Sequence, residues 1–235
     1  MAAEIKISPI TTTRINHDNI IYGLLYNWYA ATDVRNITPV GWHIPTSIEF
    51  TTLRTLLGGS TIAGGKMKEI GTDHWSPSNT GATNESGFTA FGSGYRDSSW
   101  YGMFMAGPRD LGHSYAFFHI YNITISSRAY LLNHDATLTL NTTSWTSYKG
   151  NGQAIRCIRD SATGWTSDEK MIDYDGNIYD TVQIGTQIWT VQNLAVTHYR
   201  NGDVIPEVID GAEWMIISDG GLCAYDNNWD NVFDK

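Results

Sequence analysis

Residues 41–59 read GWHIPTSIEFTTLRTLLGG and carry the clearest structural signal in the chain. Thr46 followed by Glu49 is a capping box, in which two side chains satisfy backbone N–H groups that a helix start leaves free. Apolar residues then recur at helical spacing, and Gly58 with Gly59 tolerates the positive φ at which helices commonly end. The stretch therefore predicts a helix that begins after Thr46, packs on a core through one face and ends at Gly58.

The segment before this helix is dense in apolar and aromatic residues. Residues 20–30 read IIYGLLYNWYA, which is typical of a buried strand or of a short core helix, and periodicity alone does not distinguish the two. Residues 1–19 contain no such run. They predict an extended arm that either moves freely or is held by a neighbouring molecule.

The residues after the helix indicate loops followed by strands. Residues 60–100 are rich in Gly, Asn, Ser and Thr but keep aromatic residues at intervals, which predicts long ordered loops pinned to a core. Residues 114–148 contain runs that alternate between apolar and polar residues, and they predict an antiparallel sheet with one wet face. Residues 153–159 predict a further strand.

A connector at residues 161–170 separates these strands from a second set of turn signals. Asp175 and Gly176 form a turn dipeptide between β-prone runs and predict a hairpin that continues into further strands. Asp210 and Glu213 repeat the capping pattern and predict a short helix around residues 214–217.

The composition limits the class of protein. Of 235 residues, 41% are hydrophobic, 17% are charged and 23 are glycine, which is typical of a loop-rich β or α+β protein. The net charge of −9 and the lack of basic clusters in the sequence argue against nucleic acid and anionic membranes as partners. The sequence shows neither a membrane-spanning stretch nor an apolar signal segment, so we expect a soluble protein made in the cytoplasm.

Several short motifs are more specific than the composition. In chain order they are YGLLYNWYA at 22–30, GWHIPT at 41–46, GGKMKE at 64–69, HW at 74–75, GATNESGFTAFGSGYR at 81–96, IRCIRD at 155–160, DYDGNIY at 173–179, IGTQIW at 184–189, NL at 193–194, Trp214, and YDNN at 225–228. Each motif is weak by itself, but together they extend over most of the chain. The set resembles the Fibrobacter succinogenes major paralogous domain.

The resemblance implies a C-type-lectin-like fold, which formylglycine-generating enzymes also share. Such a fold is α+β, and we expect two helices packed on small twisted antiparallel sheets with long ordered loops. The resemblance also implies bacteria of the Bacteroidetes type as the host range.

The motifs do not follow the order of the family. The opening third of the family lies at 171–235, after the closing strand of the family at 155–160, and this order predicts a circular permutation. We expect one domain over 20–235, in which 20–160 is the C-terminal part of the family, 161–170 is the connector and 171–235 is the N-terminal part. Because domain ends are often neighbours, a short connector can join them. The alternative is that 171–235 completes the domain of a neighbouring subunit in a homo-oligomer.

The two cysteines give no sign of catalysis. Cys157 lies in an apolar run, which favours a buried, inert thiol, whereas the related enzymes use a reactive cysteine pair. A bridge between Cys157 and Cys223 is conceivable but not implied. The sequence also lacks the motifs of serine hydrolases, zinc proteases and nucleotide-binding enzymes, so we expect no enzymatic activity and no cofactor.

Ligand recognition is the function that the sequence favours. Residues 97–150 correspond to the variable stretch of the family, and long loops of lectin-like folds carry ligand surfaces. Tyr, Ser and Asn are also the residue types of adaptable binding surfaces. The candidate ligand-binding residues are Trp100, Tyr101, Arg109, His113, Tyr115, Asn133, His134, Asp135 and Trp145. Phe117, Phe118 and Tyr121 are expected in the core instead.

A weak calcium signal lies near the end of the sequence. Asp226, Asn228 and Asp230 provide oxygen ligands of the type that Ca²⁺ prefers, but a polar turn explains the same pattern.

We expect a phage virion protein, such as a tail or head fibre or a decoration protein, that binds a bacterial surface glycan or receptor. Residues 1–19 would then contact other virion proteins. A purely structural assembly protein and a bacterial cell-surface domain are the alternatives.

Overall fold

The computed structural model describes residues 20–107, 113–142 and 149–233. The helices within these ranges are α1 (Trp28–Ala31), α2 (Ser47–Leu56), α3 (Ser60–Met67) and α4 (Gly211–Ile216). The strands are β1 (Leu25–Tyr26), β2 (Trp42–His43), β3 (Tyr95–Arg96), β4 (Phe104–Met105), β5 (Tyr115–Ile120), β6 (Ser127–Leu132), β7 (Thr139–Asn141), β8 (Ile158–Arg159), β9 (Met171–Ile172), β10 (Ile178–Tyr179), β11 (Thr181–Ile184), β12 (Gln187–Thr190) and β13 (Leu222–Cys223). Across the described part of the chain, no helix is both long enough and apolar enough to cross a membrane.

The protein is α+β, and its strands form several small antiparallel sheets. The largest has four strands in the order β11-β12-β8-β2, and a second has the order β5-β6-β7. The pairs β1-β13, β9-β10 and β3-β4 complete the set within the described ranges. The predicted hairpin at Asp175 and Gly176 is confirmed, since it connects β9 to β10.

Helix α2 begins as the sequence predicts. The Thr46 side chain accepts a hydrogen bond from the backbone N–H of Glu49, and the Glu49 carboxylate accepts one from the backbone N–H of Thr46 at 2.8 Å. Phe50 and Leu53 on one face are fully buried. The same logic holds at α4, where the Asp210 carboxylate accepts a hydrogen bond from the backbone N–H of Glu213.

Helix α3 was not predicted, because its sequence STIAGGKM lies in a region expected to be loop. Two glycines in mid-helix lower helix propensity, which is why the segment looked irregular. In the structure a Cβ at Gly64 would collide with the backbone of Thr137, and one at Gly65 with the backbone of Gly81. The glycines therefore allow a close approach between this helix and two loops.

The run at residues 20–30 contains both elements that the sequence left open. It provides strand β1 and then helix α1, whose N-cap Asn27 accepts a hydrogen bond from the backbone N–H of Ala30 at 2.9 Å. The strand predicted at 153–159 is shorter than expected. Only β8 is regular, while Gln153 and Ala154 form isolated bridges to Tyr26 and Phe118.

Residues 171–233 pack directly on the first part of the chain. Strand β12 pairs with β8 through Trp189 and Ile158, and β13 pairs with β1. Ile20 and Phe233 form an antiparallel bridge, so the two ends of the described chain lie side by side. One core cluster includes buried side chains from both parts.

Three cations in the described ranges, Lys68, Arg96 and Arg156, are buried, and most of their hydrogen bonds go to backbone carbonyl groups. Lys68 donates to the carbonyl oxygens of Thr80, of Leu132 at the end of β6 and of Asp135, at 2.7 to 3.0 Å. Arg96 donates to the carbonyls of Gly102, Val208 and Ile209. Because buried charge must be compensated, these contacts fix the loops that provide the carbonyls.

Candidate functional site

The loop of the β3–β4 hairpin is held rigidly. Asp97 is buried, and its carboxylate accepts hydrogen bonds from the backbone N–H groups of Ser99 at 2.7 Å and Trp100 at 2.9 Å. The side-chain oxygen of Asn151 accepts from the backbone N–H of Ser98 at 2.9 Å and from its hydroxyl at 2.7 Å. The tip of the hairpin is therefore ordered before any ligand arrives.

Trp100 and Tyr101 lie at this tip with 67% and 78% of their surface exposed. Tyr101 adopts a φ of 53°, in the left-handed region that a side chain other than glycine occupies at a cost of about 1 kcal/mol or more. A large exposed aromatic residue in a strained but fixed turn is a feature that binding sites often show.

A cavity of about 350 Å³ lies beside the hairpin. We call it the aromatic pocket, and it is lined by Tyr95, Phe104, Met105, Ala106, His113 and Tyr115. His113 is exposed at its rim, and its ring meets that of Tyr115 edge-on with centroids 6.4 Å apart. The volume is at the lower end of the range for small-molecule sites.

Further rings support the wall of the aromatic pocket. Phe117 lies between Tyr95 and Tyr115, with ring centroids 4.8 Å and 5.7 Å away. Tyr130 on the paired strand β6 packs against Phe117 at 5.4 Å, and the Arg128 guanidinium lies 5.0 Å from the centre of the same ring. The rings share one face of the sheet, because residues two apart on a strand point to the same side.

The candidates Asn133, His134 and Asp135 form the turn that follows β6. Asn133 is buried, its backbone N–H donates to the carbonyl of Ser114, and its side chain donates to the carbonyl of Pro77. The Asp135 carboxylate accepts from a backbone N–H two residues on. Asn133 and Asp135 therefore stabilise loops, and His134 is the exposed member of the three.

The structure thus divides the predicted ligand-binding residues. It brings His113 and Tyr115 together in the aromatic pocket, and it places Trp100 and Tyr101 at the tip of the hairpin whose strand β4 lines that pocket. Arg109 and Trp145 lie outside the described residues.

The expected core residues are also divided. Phe117 and Phe118 are buried, as predicted. The prediction for Tyr121 was wrong, since 43% of its surface is exposed. Tyr121 comes directly after β5, where the alternation of the strand no longer directs its side chain into the core.

Asp226 and Asp230 lie in two consecutive 3₁₀ turns, Tyr225–Asn227 and Trp229–Asn231, and Asn228 lies between the turns. The Asn228 side-chain oxygen accepts a hydrogen bond from the backbone N–H of Asp230 at 3.0 Å, so it caps the second turn. In the described ranges, no three or more His, Cys, Asp or Glu side chains are grouped so that they could hold a metal ion.

Cys157 and Cys223 are both buried free thiols. Burial raises the pKa of Cys223 to about 12 and the pKa of Cys157 further still. The thiolate is the reactive form, so neither sulfur is poised for nucleophilic or redox chemistry at neutral pH.

The sequence did not single out Tyr95, Phe104 and Met105 as pocket residues. Tyr95 is one of the aromatic residues in 60–100 expected to pin loops to the core, and it lies in the motif at 81–96. The pocket forms only where the β3–β4 hairpin packs on β5, as in the contact between the Tyr95 and Phe117 rings, and local sequence does not indicate that packing.

The structure therefore defines an α+β protein that has small antiparallel sheets and a pocket of aromatic side chains. A comparison with protein families identifies the family to which it belongs. The model of the Fibrobacter succinogenes major domain matches residues 4–159, and the chain belongs to this family. No curated protein and no solved structure matches the chain.

Proposed function

We propose that the protein is a non-enzymatic recognition module that binds a bacterial surface glycan in the aromatic pocket. The observation that carries the proposal is the grouping of Tyr95, His113 and Tyr115 around one small cavity beside a rigid hairpin. Aromatic rings offer flat apolar faces for the C–H surfaces of sugar rings, and tyrosine hydroxyls and imidazoles add hydrogen bonds.

The hairpin tip extends this surface. Trp100 and Tyr101 would contact a second saccharide unit or the neighbouring bacterial surface. Because the tip is already ordered, little conformational entropy is lost on binding, which favours affinity. The buried thiols support a binding role over catalysis, and the lectin-like character of the fold is part of the same proposal.

The proposed setting is a phage virion, where the protein would be a fibre or decoration protein and residues 1–19 would contact other virion proteins. This setting derives from the family resemblance alone.

One observation favours a second candidate, a structural protein that uses the tip to bind other proteins. Tyr101 and Met103 are exposed, and so are Ile209 and Ile216 in and beside α4. A Cβ on Gly211 would collide with the backbone oxygen of Tyr101. The exposed side chains of the hairpin tip and those near α4 therefore belong to one region of the surface. Exposed apolar side chains of this kind are common at protein interfaces.

A glycan-binding measurement tests the first proposal. Lipopolysaccharide and capsular oligosaccharides from Bacteroidetes-type bacteria would be immobilised, and binding would be measured with and without a calcium chelator. We expect binding by the full chain and a loss of roughly tenfold or more for Tyr115→Ala and His113→Ala, since each removes a contact worth about 1.4 kcal/mol or more.

Tyr174→Ala is the matched control, because Tyr174 is an exposed tyrosine outside the aromatic pocket. It should bind as the unmodified chain does. Equal binding by all three variants, or no binding to any of the glycans, would contradict the proposal. Binding that requires calcium would support the predicted calcium site at Asp226, Asn228 and Asp230.

A further inference from the structure

Tyr225 lies under the hairpin that forms one wall of the aromatic pocket. Its ring meets that of Phe104 edge-on with centroids 5.3 Å apart, and its hydroxyl oxygen accepts a hydrogen bond from the backbone N–H of Gly107 at 3.1 Å. Tyr225 is only 4% exposed, so it does not itself touch a ligand. It belongs to the C-terminal part of the chain, more than a hundred residues from its partners in sequence.

Two glycines make room for this ring. A Cβ on Gly107 would overlap the Tyr225 ring, and a Cβ on Gly94 would lie 2.5 Å from the ring atom Cε2. The backbone before β3 and the backbone after β4 therefore both rest on Tyr225. Any other residue at either glycine would push the hairpin away from the C-terminal segment.

A second group of contacts fixes the same hairpin from the same side. The Arg96 guanidinium on β3 donates to the carbonyls of Val208 and Ile209, and it packs 4.4 Å from the centre of the Trp214 ring. A Cβ on Gly102 would lie 2.7 Å from the Cα atom of Gly211. The hairpin thus contacts the C-terminal segment along its whole length.

We infer that Tyr225 is a positioning residue for the aromatic pocket, which is complete only when the C-terminal segment is docked. The inference rests on the proposed function, because it assumes that the pocket binds a ligand. Loss of the Tyr225 hydroxyl removes its hydrogen bond to the Gly107 amide and loosens the segment that provides Phe104, Met105 and Ala106 to the pocket wall. Ligand binding and docking of residues 208–227 then stabilise each other.

The test uses Tyr225→Phe, which keeps the buried ring and removes one hydroxyl. Tyr179→Phe is the control in a different core cluster, because the Tyr179 hydroxyl also accepts a backbone N–H, that of Ala195, and in addition donates to the Asp173 carboxylate. Hydrogen exchange of the full chain is followed by NMR or mass spectrometry, and binding of the immobilised oligosaccharides is measured in parallel.

For Tyr225→Phe we expect exchange across residues 95–107 to be roughly fivefold faster and oligosaccharide binding to be weaker by a similar factor, as the loss of one buried hydrogen bond implies. For Tyr179→Phe both quantities should stay unchanged in the hairpin and the pocket. This pattern supports the inference.

Unchanged exchange in the hairpin overturns the inference, and so does faster exchange with unchanged affinity. Faster exchange spread evenly over the whole chain also overturns it, because Tyr225 would then contribute to general stability alone. If the unmodified chain binds none of the glycans while the hairpin loosens selectively in Tyr225→Phe, the proposed function fails and the positioning of the hairpin by Tyr225 stands.

Discussion

Arg156 and Asn193 are joined by a buried hydrogen bond of 2.5 Å from the guanidinium Nε to the side-chain oxygen. Asn193 also donates to the carbonyl of Tyr22 at 2.8 Å, so one amide connects three segments that are distant in sequence. The remaining guanidinium N–H groups donate to the carbonyls of Phe88, Thr89 and Thr190. This buried cation, which has no carboxylate partner among these contacts, fastens the C-terminal segment to the first part of the chain.

Substitution of Arg156 by Met should therefore destabilise the fold strongly. It leaves buried carbonyls and the Asn193 amide without their donor, and we expect the free energy of unfolding to fall by about 3 kcal/mol. Chemical denaturation measures the change. Arg54→Met, at a half-buried position on α2, is the control and should cost less than about 0.5 kcal/mol. Equal effects of the two substitutions would show that the carbonyl contacts of Arg156 contribute little.

The adjacent ends of the described part of the chain make the predicted permutation testable. Ile20 and Phe233 are bridge partners, and such partners lie about 5 Å apart between their Cα atoms. A chain that begins with residues 171–233, continues through a linker of about three residues into residues 20–160, and so restores the order of the family, should fold with a similar melting temperature. Circular dichroism and thermal denaturation check this expectation.

The same rearranged chain distinguishes closure within one chain from exchange between subunits. Closure within the chain predicts a monomer for both orders at micromolar concentration, as measured by light scattering. A dimer that dissociates only on unfolding would show that residues 171–235 complete a neighbouring domain. Failure of the rearranged chain to unfold cooperatively would argue against the permutation itself.

Local signals in the sequence determined much of the fold. Thr46 and Glu49 predicted the start of α2, and Asp175 with Gly176 predicted the β9–β10 turn, because capping and turn chemistry depend on a few adjacent residues. Helix α3 escaped prediction because its glycines serve tertiary contacts that override helix propensity. The buried cations were missed for the same reason, since their partners are carbonyls on distant loops.

The candidate site was predictable only in part. The variable stretch drew attention to His113 and Tyr115, which line the cavity, but it could not indicate that Tyr95 and Phe104 line the same cavity. Asparagine is common in ligand sites, but Asn133 is buried and its backbone and side chain bond to neighbouring loops. Tyr225, which supports the pocket from the other end of the chain, is visible only once the hairpin is placed.

His43 should give the protein a stability that depends on pH. Its two ring nitrogens lie 2.8 Å from the Glu49 carboxylate and 2.6 Å from the Asp160 carboxylate, and the hydrogen bond to Glu49 above all raises the pKa of His43 over its usual 6.5. Since the pKa is higher in the folded state, the contribution is fully present below about pH 6.5 and is lost as pH rises through the raised value.

The measurement compares the melting temperatures of the unmodified chain and His43→Gln from pH 5 to pH 9. The difference in melting temperature should be largest at the acid end and should shrink above neutrality. Because the pair is partly exposed, the corresponding change in the free energy of unfolding should be less than about 1 kcal/mol. Burial lowers the pKa of His119 to about 4, but His119 is present in both proteins and its effect cancels. A difference that does not vary with pH would mean that His43 gains nothing from its two carboxylates.

The thiols provide a last test, which bears on both the enzyme class and the core. Cys157 and Cys223 are buried, and their raised pKa values keep them protonated at neutral pH, so an aromatic disulfide reagent should label neither in the native protein. In guanidinium chloride the reagent should label both, because unfolding exposes them as free thiols. Rapid labelling of Cys157 in the native state would show that its thiol is accessible and reactive, which would favour a redox enzyme over a binding protein. An absence of labelling after unfolding would reveal a Cys157–Cys223 bridge, which would covalently join the residue before β8 to β13, whereas in the structure both thiols are free.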